Sequence, residues 1–195
     1  MSVRHTASDA ERQAIMDWRR DTRQRVIAER LRISVADRQA ASARIAVNLD
    51  ALLGDLRGQV VSGYWPLRGE PDLRPWMASL TARGVRCAMP LVVEKNAPLR
   101  FRAWTPGCRM EKGFWDIPVP AEGEWLVPEV LIAPVVGFDA ANYRLGYGGG
   151  YFDRTLATLV TPWRAIGVGY ESAKLDTIHP LAHDVPLQGI VTAQG

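Results

Sequence analysis

Cysteine is nearly absent from this chain of 195 residues. Cys87 and Cys108 are too few for a disulfide framework or a four-thiolate zinc site. Histidine is almost as scarce, with three residues. His179 and His183 are four apart, but Pro180 between them breaks a helical pair and no HExxH string occurs, so zinc chemistry is not expected. No apolar run approaches the roughly 18 residues of a membrane span. The opening MSVRHTASDAERQ lacks the apolar core of a leader. These absences predict a cytoplasmic protein with no membrane partner. There is no low-complexity tract and no internal repeat. No strong charge excess exists either: 24 Lys and Arg against 21 Asp and Glu leave +3. Six arginines (Arg19, Arg20, Arg23, Arg25, Arg30, Arg32) do crowd into fourteen residues. Such a run serves nucleic acid, a polyanionic small molecule or a solvated helix face, and the solvated face is the default for most of them. No nucleic-acid partner is expected, and the chain is expected to be a monomer.

What is present suits an ordinary core, with 47% apolar residues. The length fits a single domain, 1–195, whose first 55 residues form a helical segment. Ser8 with Glu11 is a capping box for a helix over 8–33, and Ser34 with Asp37 caps a second helix to about Leu53. That second helix should bury Ile45, Val47 and Leu49 to Leu53 in some register. Strands are predicted over Gln59–Trp65, Val85–Pro90, Leu99–Thr105, Val130–Val136, Arg164–Tyr170 and Ile190–Thr192. Helices are predicted over Asp72–Arg83 and Arg154–Val160. Residues 106–128, rich in Pro, Gly and Trp, read as loop. The alternation implies an α/β fold of three layers with a mostly parallel central sheet. Ligands then collect past the carboxyl ends of strands, in the loops after Trp65, Val136 and Tyr170.

The second of those loops carries the string RLGYGGGYFDR, Arg144 to Arg154. Gly146, Gly148, Gly149 and Gly150 lie between a strand and a helix, where backbone N–H groups can converge on a phosphate. No Gly-Lys-Ser/Thr follows, so this is not a Walker A loop, and Tyr151 stands where GxGxxG needs its last glycine. A plain turn remains the competing reading of the glycines. In the first loop, Asp72 reads as a cap for the next helix. Glu70 sits in a turn fixed by Pro66, Gly69 and Pro71, beside Trp65, whose flat face can stack a ring. In the third loop, His183-Asp184 before Val185-Pro186 reads as a catalytic pair or as a surface turn.

The eleven-residue string, together with RLRIS (Arg30 to Ser34), MEKGFWDIP (Met110 to Pro118), LIAPVVGFD (Leu131 to Asp139) and HDVPL (His183 to Leu187), resembles the signature of the 5-formyltetrahydrofolate cyclo-ligase family. The resemblance implies an ATP- and magnesium-dependent enzyme acting on a reduced formylfolate. It implies ATP contacts from Arg19 or Arg20, from Arg23, and from Arg144, Leu145, Gly146, Tyr147, Gly148, Gly149, Gly150, Tyr151 and Phe152. Folate contacts are implied for Trp65, Glu70 and Tyr147 to Tyr151, magnesium ligation for Asp153 and Asp184, and catalytic roles for Arg144 and Tyr151. The family often carries a basic residue within the glycine loop, at positions that here are Tyr147 and Gly149. The other readings are a sugar-phosphate isomerase or CoA-transferase relative, a paralogue with a different substrate, and a non-enzymatic nucleotide or RNA binder.

Overall fold

The computed structural model describes residues 8–159 and 163–195. Helices α1 (Asp9–Leu31) and α2 (Val35–Leu53) start as their caps dictate. Ser8 Oγ accepts from the Glu11 N–H at 3.3 Å while Glu11 accepts from the Ser8 N–H at 2.7 Å. Ser34 Oγ accepts from the Asp37 N–H at 3.1 Å. These bonds satisfy N–H groups that the first turn of a helix leaves without partners. In α2, Ile45, Leu49 and Leu53 are buried, whereas Val47 and Leu52 face solvent. The 4-residue spacing of the buried three selects the register that the sequence left open.

The remaining elements are β1 (Val60–Ser62), α3 (Arg74–Ala82), β2 (Arg86–Leu91), β3 (Arg100–Trp104), β4 (Met110–Lys112), β5 (Pro118–Pro120), β6 (Trp125–Leu126), β7 (Val130–Pro134), β8 (Gly137–Phe138), β9 (Arg144–Leu145), α4 (Tyr151–Thr158), β10 (Arg164–Val168) and β11 (Gly189–Val191). Seven strands form one sheet in the order β11-β10-β7-β1-β2-β3-β6. The first five run parallel, and β3 and β6 add antiparallel at one edge. A mostly parallel sheet with helices on both faces is what the alternating pattern implies. Side chains alternate along each strand, so each sheet face makes its own core. Val61, Val130 and Ile132 pack with α2 and α3, while Val60, Leu131 and Ala133 pack with Val26 of α1 and Leu156 of α4.

The stretch 106–128 is not the plain loop its composition suggests. It holds the β4–β5 hairpin, a 3₁₀ turn at Phe114–Asp116 and β6. Pro118 and Pro120 lie in β5, one strand of a two-stranded ribbon, where proline is tolerated. The hairpin β8–β9 was also invisible to periodicity, because two-residue strands carry no pattern. Helix α4 begins at Tyr151 rather than Arg154 and runs to Thr158; the expected end at Val160 lies outside the described residues.

Candidate functional site

The parallel strands β1, β7 and β10 all end on one edge of the sheet. The segments that follow them, 63–73, 135–150 and 169–188, meet there. Helix α1 closes this edge with an unusual buried stripe: Arg19, Thr22, Val26 and Arg30. The 4-3-4 spacing of Arg19, Arg23, Val26 and Arg30 marks a single helix face, so three arginines point inward rather than to solvent. The default expectation of a solvated arginine face therefore fails for Arg19 and Arg30, each only 4% exposed.

Each of these arginines is tied to a different segment. Arg19 donates Nε to the Ile178 carbonyl (3.0 Å), Nη2 to the His179 carbonyl (2.9 Å) and both Nη groups to Asp184 (2.5 and 3.3 Å). Arg23 donates Nε to the Gly146 carbonyl at 2.7 Å. Arg30 donates to the Arg68 carbonyl (2.9 Å) and to the Tyr147 hydroxyl (2.7 Å). Arg20, the rival for the first phosphate contact, points outward to Asp17 and Asp21 at 2.7 and 3.2 Å. Burial pushes the Arg23 guanidinium down, as does the charge of Arg19, but it stays cationic at any physiological pH.

The glycine loop is pinned at both ends. Arg144 of β9 donates to the Val185 carbonyl (2.9 Å) and pairs with Asp153 of α4 at 3.1 Å. Burial pushes its guanidinium down; the neighbouring Asp153 carboxylate opposes that. Asp153 Oδ1 also accepts from the Val185 N–H at 3.0 Å. Leu145 is core, and Phe152 lies under the Arg144 guanidinium, 5.8 Å from its ring centre. Between these anchors Gly148 (φ 96°) and Gly150 (φ 64°) take backbone conformations that side chains resist. Gly149 does not; a Cβ there would instead lie 2.8 Å from the Tyr151 ring.

Gly150 is the N-cap of α4 and offers no side-chain cap. Among the described residues, the N–H groups of Gly148, Gly149, Gly150, Tyr151 and Phe152 donate to nothing. Unbonded N–H groups at a helix start, beside Arg23 and Arg144, form a preorganised anion cradle. Arg154 shapes it from below by donating to the Gly149 carbonyl and lying 4.8 Å from the Tyr151 ring centre.

Glu70 lies deeper, 5% exposed. One carboxylate oxygen accepts from the Leu67 N–H at 2.8 Å, while Oε1 is buried with no partner. Tyr64 donates to the Pro71 carbonyl (2.7 Å) and Tyr170 to the Gly69 carbonyl (2.9 Å), and these bonds brace the turn that carries Glu70. Burial pushes the Glu70 carboxyl up; the Leu67 N–H, the charge of Arg30 and the Tyr147 hydroxyl oppose this without cancelling it. A buried acceptor without a donor costs about 1–3 kcal/mol, and such an atom is suited to a ligand's N–H. Trp65 stands at the same turn, with one face already covered by Arg74 at 4.4 Å.

Two groups at this edge had weak signals in sequence. The tip of the β4–β5 hairpin brings Trp115, 67% exposed, to 5.6 Å from Tyr151, edge to face. Trp115 and Asp116 hold φ of 55° and 58°, strained values for non-glycine residues that often mark functional loops. Arg30 could have been found from its helical spacing to Arg19 and Arg23.

The family model for the 5-formyltetrahydrofolate cyclo-ligase family matches residues 15–193. The chain belongs to that family. A 5-formyltetrahydrofolate cyclo-ligase of Mycolicibacterium smegmatis is 30% identical over 160 residues, covering 73% of this chain and 80% of the relative. The cyclo-ligase of Escherichia coli K12 is 29% identical over 143 residues, covering 68% and 76%. The 5,10-methenyltetrahydrofolate synthetase of Aquifex aeolicus superposes with a TM-score of 0.77 at 28% identity, covering 91% of this chain and 90% of that one. The synthetase of Mycoplasma pneumoniae, at 23% identity, shares the fold with a TM-score of 0.74 over 90% and 98%. Membership of a cyclo-ligase family favours an enzyme over the isomerase-like and binding-protein alternatives. Among the described residues no helix is long and apolar enough to cross a membrane.

Magnesium can be tested against the donor set. Among the described residues no three or more His, Cys, Asp or Glu side chains cluster. Asp184 has both oxygens engaged by Arg19, and Oδ2 also accepts from the Leu181 N–H at 2.6 Å. Burial would raise its carboxyl, but the Arg19 and Leu181 hydrogen bonds and the Arg19 charge win and hold it below the usual range. Asp153 Oδ2 accepts no hydrogen bond from a described residue. Of these two carboxylates only Asp153 Oδ2 is left open among the described residues, so a hard cation here would draw mainly on phosphate oxygens and water and not on a cage made by protein alone.

Proposed function

We propose that this chain closes the ring of 5-formyltetrahydrofolate to 5,10-methenyltetrahydrofolate, coupled to conversion of ATP to ADP and phosphate. The observation that carries this reading is the meeting at Tyr147 of two unlike sites. One is the N–H cradle beside Arg23 and Arg144. The other is Glu70, with its unpartnered buried oxygen. The family and the names of its members support the same reaction.

The chemistry accounts for both parts. A formamide oxygen is a poor leaving group, so attack by N10 alone is slow. Transfer of the terminal phosphoryl group to that oxygen gives an imidate phosphate. N10 then attacks its carbon, and phosphate departs carrying the former formyl oxygen. Phosphoryl transfer needs alignment and charge neutralisation more than a side-chain nucleophile. The loop N–H groups, Arg23 and Arg144 supply these. Tyr151 and Trp115 border the space where the phosphoryl group and the folate meet. Arg19, whose donors are spent on the 178–184 segment, holds Asp184 in place. Asp153 and Asp184 are the residues that would hold magnesium, which would supply charge neutralisation for the phosphates there. Glu70 accepts from the aminopyrimidine edge of the pterin, and Trp65 borders that ring.

Absorbance growth in the methenylfolate band tests the reading. Growth should require formylfolate, ATP and a divalent cation together, with one phosphate released per methenyl group. Undiminished growth in EDTA would remove magnesium from the account.

Glu70→Gln swaps an acceptor for a donor at the pterin. Folate affinity should fall about tenfold or more while ATP affinity holds. The variant also tests the burial of this carboxyl. A raised carboxyl in the folded state favours the protonated form. Its contribution to stability is therefore full below the ordinary carboxyl range and is lost as pH rises through the shifted value. Melting of wild type and Glu70→Gln across pH 4.5 to 8 should show the variant gaining on the wild type as pH rises. A constant difference would mean that Glu70 titrates alike in the folded and unfolded chains.

A further inference from the structure

The loop between β9 and α4, Gly146 to Gly150, contains no basic side chain. Two arginines hold it from outside, and both do so by taking a carbonyl. Arg23 of α1 donates to the Gly146 carbonyl at 2.7 Å, and Arg154 of α4 donates Nη2 to the Gly149 carbonyl. Every peptide bond here is trans and planar, so a carbonyl and the N–H of the next residue point in opposite directions. Holding the Gly146 carbonyl on one side therefore turns the Tyr147 N–H to the other. Holding the Gly149 carbonyl likewise turns the Gly150 N–H away from Arg154. Neither N–H has an acceptor among the described residues.

The peptide between Gly149 and Gly150 is the one most in need of such a hold. It lies between two glycines, in a run of three. Turning it over changes ψ of the first residue and φ of the second, and glycine accepts both settings. The turned peptide would aim a carbonyl into the cradle where an N–H now stands, and would repel an anion. Gly150 has φ 64° and, as the N-cap of α4, brings no side chain to hold the helix start. Among the described residues, Arg154 is the one donor to the Gly149 carbonyl.

The placement of Arg154 is otherwise unfavourable. It is the fourth residue of α4, and its side chain runs back to the helix start. Nη1 lies 3.0 Å from where a Cβ on Gly150 would stand, and the guanidinium carbon lies 4.8 Å from the Tyr151 ring centre. A cation at a helix N-terminus opposes the helix dipole. Arg154 makes no ion pair among the described residues, and its Nε is buried without an acceptor. The Gly149 carbonyl is the contact that accounts for an arginine here.

We propose that Arg154 is a positioning residue for the anion cradle. By holding the Gly149 carbonyl on the Tyr151 side of the loop, it locks the Gly150 N–H in the orientation that meets phosphate. Arg154 itself touches no phosphate. The phosphate half of this inference rests on the ring-closure reading; the lock does not.

Nuclear magnetic resonance of the full chain, without nucleotide, reads the lock directly. The Gly150 N–H order parameter should be about 0.85 in the wild type and below about 0.6 in Arg154→Met. Arg154→Lys keeps a donor for the carbonyl and should stay near the wild-type value. Arg154→Met loses no ion pair and lifts an unpaired cation from the helix start, so it should melt within about 2 °C of wild type. Its dissociation constant for magnesium-ATP should nevertheless rise about tenfold or more, and Arg154→Lys should recover most of that loss. An unchanged Gly150 N–H in Arg154→Met would overturn the proposal even if nucleotide binding fell, because Arg154 would then act on the phosphates by its charge. Full nucleotide affinity in Arg154→Met with a mobile Gly150 N–H would overturn it as well. A wild type that has a rigid Gly150 N–H but binds no magnesium-ATP would overturn the ring-closure reading and leave the lock standing.

Discussion

Gly148→Val is expected to melt close to the wild type and yet to lose nearly all nucleotide-driven turnover. Gly148 is exposed, at φ 96°, and a Cβ there would lie 3.6 Å from the Arg23 guanidinium carbon, an ordinary contact. The core is untouched, so the cost is local strain of about 1–2 kcal/mol. The same side chain would stand between the loop N–H groups and Arg23, where the phosphates are proposed to lie. Loss of preorganised donors of this kind costs about 100-fold or more in rate. Saturating magnesium-ATP, at about 100 times its dissociation constant, should stabilise the wild type by about 2.7 kcal/mol through linkage. The variant should gain almost nothing. A full nucleotide shift in Gly148→Val would reduce the loop to a turn.

Arg144→Met should damage stability and activity together, and the two losses can be separated. The Arg144 side chain is 3% exposed and joins β9 to α4 and to the irregular segment before Leu187. Removing it leaves the Asp153 carboxylate with the Val185 N–H but no cation, and the Val185 carbonyl without the Arg144 donor. Breaking a buried pair in this way costs about 3 kcal/mol. Arg144→Met with Asp153→Asn removes the stranded charge, so thermal stability should return in large part. Turnover should not, because neither the cation for the phosphates nor the proposed magnesium ligand comes back. Recovery of activity in the double variant would make Arg144 a structural brace only.

The sequence carried the helix starts well because capping is local: Ser8-Glu11 and Ser34-Asp37 each act over three residues. It carried the parallel sheet because long apolar runs such as Val130 to Val136 leave few alternatives. It did not show β4, β5, β8 and β9, since strands of two or three residues are defined by their partners and not by a period. The glycine string and the Glu70 turn were legible as motifs. What they lacked was electrostatics. No spacing rule shows that Asp184 is engaged by Arg19, or that Arg30 reaches Tyr147 and Arg68 across 117 and 38 residues of chain. Burial of polar groups is a tertiary property: the arginines of α1 look solvated until the segments that cover them are in place.

The central claim is that the formyl oxygen leaves as phosphate. It is tested most directly with 5-formyltetrahydrofolate labelled with oxygen-18 at the formyl group, magnesium-ATP and the enzyme in ordinary water, with the released phosphate analysed by mass spectrometry. The account predicts one labelled oxygen in each phosphate, matched in amount to methenylfolate formed. Unlabelled phosphate alongside methenylfolate would mean that the terminal phosphoryl group passes to water, and would contradict it.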